Sequence, residues 1–507
     1  MHDQNHVAVL DFGSQYTQLI VRRVRELGFF AKLYAIEEFP DIGQPGAIIL
    51  SGGPKSTSEP DAPDLDFEAL KAFNVPVLGV CYGMQLLNIK FGGSVEASDR
   101  REYGPAALYP GEPCALYENI SPTSQVWMSH SDTVKVIPDG ARVVAKNQHG
   151  TPVSIQWNER FFGIQFHPEV THSHEGLLIL KNFLNQAKDL LPFKIEDFKR
   201  EMIASIREAV GDKQIVCGVS GGVDSTVLAV LLHEAGANVR AIFVDHGLMR
   251  KNEGDEVRQN FAIMGVPIET VDCSERFLKA LDGVDDPEKK RVIIGNLFID
   301  VFWDSVGDAE MLAQGTLYPD VIESASNAKS KASKIKTHHN RVDRILELQA
   351  QGKVLEPLAE LFKDEVRALG LSLGIPADIL NRHPFPGPGL AVRCPGVVTE
   401  ERLEIIRECD AIFIGKLREH GWYDKVWQAY AGLVPVKTVG VKGDERSYEW
   451  AISLRCVVSE DAMTADWVEL PYQLLRETSH RILNEVKGIN RVLYDVSTKP
   501  PASIEWE

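Results

Sequence analysis

Cysteine is scarce: seven occur in 507 residues, at positions 81, 114, 217, 273, 394, 409 and 456, and no two form a Cys-x-x-Cys pair. An odd, scattered set excludes a disulfide-built scaffold and gives no zinc ribbon. No run of about 18 apolar residues occurs, which excludes an ordinary membrane-spanning helix. The opening Met1-His2-Asp3-Gln4-Asn5-His6 lacks the basic start and apolar core of a secretory signal, so a cytoplasmic location is expected. Basic residues are also in deficit, with 54 Lys and Arg against 72 Asp and Glu, a formal charge of −18. Such a field repels nucleic acid and anionic membranes, and neither is expected as a partner. An anionic small molecule is not excluded, because a local pocket can oppose the global sign. No internal repeat or low-complexity segment is present.

What is there reads as ordinary globular protein, with 44% hydrophobic and 25% charged residues. At roughly 100–200 residues per domain, the length suits three domains. Short apolar runs at His6–Leu10, Ala47–Leu50 and Val75–Val80 predict strands, with helical spacing at Tyr16–Leu27 between the first two. The stretch around Trp157 and the run Phe161–Phe166 predict later strands, and Gly176–Asp189 a closing helix. The alternation restarts with a helix at Phe198–Val210, a strand at Gln214–Val219, a helix at Thr226–Ala235 and a strand at Val239–Val244. The expected fold class is α/β: two successive doubly wound, mainly parallel-sheet domains over 1–190 and 191–382, then a smaller α+β domain over 383–507. Leu-Pro-Phe-Lys at 191–194 and His-Pro-Phe-Pro-Gly-Pro-Gly at 383–389 punctuate the two boundaries.

The first strand–turn–helix with chemistry is Gly79-Val80-Cys81-Tyr82-Gly83. Glycines two residues away on both sides allow the sharp turn that lifts a nucleophile above a sheet. A helix start behind Cys81 favours thiolate, and its N–H groups suit an oxyanion. The strand ending near Phe166 leads to His167-Pro168-Glu169. Residues two apart on an extended segment share a face, so Glu169 is expected to orient and charge-stabilise the His167 imidazole. His172 and His174 read as surface residues, without a third ligand at metal spacing.

The second is Ser220-Gly221-Gly222-Val223-Asp224-Ser225-Thr226, between a strand and a helix. Its glycines permit close approach to a polyphosphate, the helix start offers N–H groups, and the three hydroxyls add donors. Asp224 is placed to hold a magnesium ion. The Walker lysine and spacing are absent. Lys363, in Leu361-Phe362-Lys363-Asp364, suits either pyrophosphate or a solvated helix surface.

Asp11-Phe12-Gly13-Ser14-Gln15-Tyr16, Leu50–Pro54, Gly79–Gln85 and Phe166–Val170 together resemble the class I glutamine amidotransferases. The resemblance implies that Cys81 attacks the side-chain amide of glutamine, that His167 carries the proton, and that Gly52 and Tyr82 form the oxyanion hole. Ser-Gly-Gly-Val-Asp-Ser resembles the signature of the ATP pyrophosphatases, which adenylate a carbonyl oxygen. That likeness places Val244 and the 220–226 loop on ATP. Over nearly its whole length the chain is similar to the glutamine-hydrolysing GMP synthase family, through Ala313–Ser324, Ile335–Asn340, Arg382–Leu390, Met463–Trp467 and Lys499–Glu507. This resemblance implies amination of XMP to GMP, ATP as co-substrate, magnesium, XMP ligation by Arg291, Lys499 and Glu505, and a homodimer through the last domain. The chain departs from the family pattern at Arg341–Lys353, a charged segment expected to be helical, and at Ser503, where threonine is usual. Amidation of another acceptor, as in NAD synthesis, a non-catalytic glutamine or nucleotide sensor and a tRNA-thiolating enzyme are the alternative readings. The acidic balance argues against the last.

Overall fold

The strands Val7–Asp11 (β1), Ala47–Leu50 (β3) and Val77–Val80 (β4) are buried almost end to end. A strand can be apolar at every position only where both sheet faces are covered, as in a parallel α/β sheet. The computed structural model describes residues 4–14, 16–307, 309–317, 348, 351–459 and 464–507, with backbone alone at 98–101 and 442. The expected motifs at 318–324 and 335–340, the expected helix at 341–353 up to its last few residues, and Met463 lie outside the described residues. The chain divides into two compact units, Met1–Phe198 and Lys199–Glu507.

In the first unit a nine-stranded sheet runs in the order β2-β1-β3-β4-β9-β8-β7-β5-β6. Here β2 is Ala31–Ala35 and β5 is Ser94–Pro110, followed by β6, Ser124–Val136. The strands β7, β8 and β9 are Arg142–Asn147, Pro152–Gln156 and Phe161–Ile164. The pairs from β2 through β4 to β9 are parallel, and β8, β7, β5 and β6 extend the sheet antiparallel. Strand alternation sends Val7 and Val9 into one core, with Phe162 and Phe183, and Ala8 and Leu10 into the other, with Phe161 and Trp157. The first helix spans Thr17–Glu26. The helix Gly176–Leu184 stops five residues before the expected Asp189, which takes a left-handed φ of 54°.

In the second unit a parallel five-stranded sheet has the order β12-β11-β10-β13-β14. Its strands are Gln214–Val219 (β10), Asn238–Asp245 (β11), Ile268–Asp272 (β12), Met311–Ala313 (β13) and Val354–Leu355 (β14). The chain winds from β10 outward to β12 and then returns to the other side, so the order reverses between β10 and β13. Ligands of open α/β sheets bind at the carboxyl ends of strands flanking such a reversal. The last part pairs Gln428–Lys442 (β15) with Glu445–Val458 (β16), flanked by Asp466–Trp467 (β17) and Ile489–Asp495 (β18). Helices Glu400–Glu419 and Tyr472–Glu485 pack with it. One contiguous apolar core runs from Val216 and Val244 on the five-stranded sheet to Leu454 and Ile489 on this smaller sheet.

Candidate functional site

In the first unit, β4 ends at Val80 and the helix Tyr82–Lys90 begins after a single intervening residue. The whole reversal falls on Cys81, at φ 51° and ψ −102°, a strained conformation for any residue with a side chain. Its N–H is anchored to the Ile164 carbonyl at 2.8 Å. The flanking glycines are required by contact: a Cβ on Gly79 would stand 2.5 Å from the Gly83 carbonyl carbon, and one on Gly83 would stand 2.5 Å from the Leu50 carbonyl oxygen. Strand, elbow and helix therefore press together as closely as backbone allows.

Cys81 and His167 line one cavity of about 410 Å³, together with Tyr82, Gln85, Ser129 and His130. His167 Nδ1 lies 2.7 Å from Glu169 Oε1. The two residues sit on a turn three residues beyond β9, so Pro168 brings their side chains together by folding the chain rather than along an extended face. Burial opposes a charged imidazole here, but Glu169 and the Cys81 thiol outweigh it and hold the His167 pKa well above the ordinary 6.5. The ring also meets Tyr16 edge-on, with centroids 5.0 Å apart. Gly52 adjoins the imidazole, since a Cβ there would be 3.1 Å from His167 Cε1. Tyr82 is the first residue of its helix, where N–H groups have no acceptor within the helix.

Three buried residues of this site were given no role from the sequence, although one of them, Gln85, closes the Gly79–Gln85 motif. Gln165 Nε2 donates to Cys81 Sγ at 3.5 Å, and Gln85 Nε2 donates to the Asp132 carbonyl at 3.1 Å. His130 Nδ1 donates to the Asp132 carbonyl at 2.9 Å, while its Nε2 lies 3.4 Å from Glu102 Oε2. Burial pushes the His130 pKa down against the pull of Glu102. Gln85 stands one helical turn beyond the elbow, at the end of the Gly79–Gln85 motif, and Gln165 two residues before His167.

In the second unit a larger cavity, about 670 Å³, brings together Ser220, Gly221, Gly222, Val223, Asp224, Lys363 and Arg291. It opens at the carboxyl end of β10. Gly221 takes φ +76°, and the helix Val223–Glu234 starts with no side chain capping it, so its first N–H groups face the loop. Ser225 and Thr226 brace the turn: Ser220 N–H donates to Ser225 Oγ at 3.1 Å and Thr226 Oγ1 donates to the Gly222 carbonyl at 2.7 Å. Lys363 is exposed and heads the helix Lys363–Ser372. Arg382 closes part of the wall, paired with Glu253 at 2.9 Å.

On the helix Pro287–Val306, Arg291 donates to the Glu507 carbonyl and the fully buried Lys290 pairs with the Glu507 carboxylate, fastening the tail against that helix. Val244 lies in the core on β11, outside the cavity lining. Lys499 is bound by backbone to Ala465 and Glu505 is paired with Arg393. Neither lines the cavity with Arg291. For magnesium the donor set fits: the ion prefers one or two carboxylates plus substrate phosphates, and Asp224 supplies a carboxylate beside a loop of phosphate-binding type. Among the described residues no helix is long and apolar enough to cross a membrane.

Three family models match the chain: glutamine amidotransferase class-I over residues 8–187, PP-loop domain over 195–282, and GMP synthase C terminal domain over 415–506. Curated glutamine-hydrolyzing GMP synthases are similar over their full length. That of Thermosipho melanesiensis is 51% identical, covering 99% of both chains. That of Haemophilus ducreyi is 50% identical, again over 99% of both. The one from Nitratidesulfovibrio vulgaris is 50% identical over 100% of both.

Proposed function

The chain belongs to the glutamine-hydrolysing GMP synthase family, and on that premise we propose that Cys81, His167 and Glu169 release ammonia while the 220–226 loop holds the ATP that activates XMP. The protein is a ligase with glutaminase activity that aminates XMP to GMP, using glutamine as nitrogen donor and ATP as co-substrate.

In the glutaminase half, the Cys81 sulfur attacks the side-chain carbonyl carbon of glutamine. The tetrahedral oxyanion is met by the N–H groups of Gly52 and Tyr82, which are worth most in a site that excludes water. Imidazolium at His167, held charged by Glu169, gives its proton to the leaving nitrogen, and ammonia departs. Water then cleaves the thioester, with His167 acting as base, and glutamate leaves.

In the synthetase half, the XMP C2 oxygen attacks the α-phosphorus of ATP and pyrophosphate leaves. Ammonia then adds at C2, and AMP departs with the oxygen. Ser220–Thr226 and Lys363 bind the phosphates, and Val244 contributes to the ATP site by its backbone position at the end of β11. Magnesium, held by Asp224, would neutralise charge on the departing pyrophosphate. Arg291 and Lys499 supply cations for the XMP phosphate, and Glu505 a carboxylate for its sugar or base. We assign the amidotransferase part to 1–190, the adenylating part to 191–382 and the dimerisation and XMP-binding part to 383–507. A cytoplasmic homodimer completes the reading.

The observation that carries the glutaminase assignment is the strained Cys81 elbow in one cavity with the His167–Glu169 pair. A chloroketone analogue of glutamine should alkylate Cys81 one-to-one, located by peptide mass spectrometry, with loss of glutamine-dependent activity. Alkylation of another cysteine, with Cys81 untouched, overturns the assignment.

A further inference from the structure

The Glu505 carboxylate is held by three donors from distant parts of the chain. Arg393 Nε donates to Oε2 at 3.0 Å and Arg393 Nη2 donates to Oε1 at 3.0 Å, a two-pronged grip. Gln428 Nε2 donates to Oε1 at 2.8 Å and also to the Pro384 carbonyl at 2.9 Å. Pro384 and Phe385 form part of the wall of the larger cavity. The Arg393 side chain is 0% exposed and that of Glu505 14%.

Arg393 is itself immobilised. Its guanidinium lies 4.3 Å from the Tyr430 ring centroid and 5.1 Å from that of Phe385, with Asp410 Oδ1 3.9 Å from Nη1. Arg250 lies over the Phe385 ring at 4.5 Å, so the ring is shared by two guanidinium groups. An ionised carboxylate offers about four acceptor positions. Three are used here by the described residues, which leaves one on Oε2.

We propose that Arg393 and Gln428 are positioning residues for XMP: they fix the Glu505 carboxylate so that its one remaining acceptor position meets a hydroxyl or N–H of the nucleotide. The proposal rests on the reading of Glu505 as an XMP residue. A rigid guanidinium fork sets both the place and the plane of a carboxylate, which the single-point charge of lysine does not. Gln428 ties that carboxylate to the Pro384 carbonyl, so the orientation of Glu505 and the position of the cavity wall are set together. As a source of stability alone, a buried arginine–carboxylate pair has little advantage over apolar packing of similar volume. Its placement beside the cavity gives it a different use.

The test uses the full-length protein with ammonia as nitrogen donor, which bypasses the glutaminase, and measures AMP formation. Glu505→Gln should raise the XMP KM by about tenfold, the loss expected for one hydrogen bond to a charged acceptor. Arg393→Lys should raise the XMP KM comparably while the ATP KM stays within about twofold. The double variant should be no worse than the more affected single variant, because both act through one contact. An unchanged XMP KM in Glu505→Gln removes the underlying reading of Glu505. A rise in that variant with none in Arg393→Lys overturns the positioning role. Equal rises in XMP and ATP KM, or additive losses, overturn it too and reduce the pair to a support of the fold. Should Arg393→Lys fail to fold, Gln428→Leu carries the test, with an XMP-specific rise expected and an unchanged XMP KM overturning the proposal.

Discussion

His167 Nδ1 stands 2.7 Å from Glu169 Oε1, with the two side chains 3% and 1% exposed. In so little water the carboxylate acts on the ring at nearly full strength, and it fixes which nitrogen carries a proton towards Glu169. In the proposed mechanism the other nitrogen is left for the thiol and the leaving ammonia.

Replacing Glu169 by glutamine removes the charge that overcomes burial at His167. The imidazole pKa should drop from well above 6.5 towards or below it, followed by imidazole NMR across pH. The sign for stability is fixed. The stabilisation from a raised histidine pKa is fully present below 6.5 and is lost as pH climbs through the folded value. Glu169→Gln should therefore cost the most stability at low pH and least at high pH, read from denaturant midpoints. An unshifted titration in the variant would remove Glu169 from this role.

His383 shows the opposite case. Its Nε2 donates to the Tyr423 carbonyl at 2.8 Å and its Nδ1 accepts from the Ala429 N–H at 3.3 Å, so the buried ring is held neutral. Burial is the main cause that lowers its pKa from 6.5 to about 4. The unfolded chain takes up a proton below 6.5 that the folded chain refuses until about 4, so stability is lost as the pH drops from 6.5 towards 4. The loss should approach about 3 kcal/mol, from 1.36 kcal/mol per pKa unit. His383→Gln should flatten that part of the pH profile, and an equally steep profile in the variant would contradict it.

Gly83→Ala places a methyl group 2.5 Å from the Leu50 carbonyl oxygen, and the backbone must yield. We expect destabilisation of about 1–3 kcal/mol in denaturant unfolding, as for other overpacked sites. Glutaminase activity should drop by at least about tenfold, because 1.4 kcal/mol of displaced transition-state stabilisation has that effect. Wild-type activity in Gly83→Ala would mean that the tight elbow is not needed.

Asp224→Ala should stop XMP-dependent AMP formation with glutamine and with ammonia alike, while glutamine hydrolysis measured as glutamate persists. Retained AMP formation would take the metal role from Asp224.

The elbow was legible because its chemistry is written in local spacing: Gly79, Cys81 and Gly83 fall within five residues, and His167 and Glu169 within three. The Ser220–Thr226 loop is equally local. Strand β6 was not legible, for an informative reason. Its burial alternates regularly, but the inward positions include Ser124, His130 and Asp132, so the apolar period of two is broken, at His130 and Asp132 where the strand lines the cavity. The neighbouring strands β5 and β7 of the antiparallel half were missed with it, whereas the stretch around Trp157 reads as a strand and lies beside β8. The contacts of Glu505 and Glu507 were hidden by distance, since Arg393 and Lys290 stand 112 and 217 residues away along the chain. Pairings of that separation follow from topology, which periodicity does not supply. The pairing of His167 with Glu169 was expected, but Pro168 achieves it by a turn rather than by an extended strand.

The most direct measurement follows GMP formed from XMP and ATP by Cys81→Ala, with glutamine in one vessel and ammonia at elevated pH in another. With folding verified by circular dichroism, glutamine should give no GMP and ammonia should give it at close to the unaltered rate. GMP made from glutamine without the Cys81 thiol, or loss of the ammonia reaction in a folded variant, would contradict the division of the chemistry between two sites.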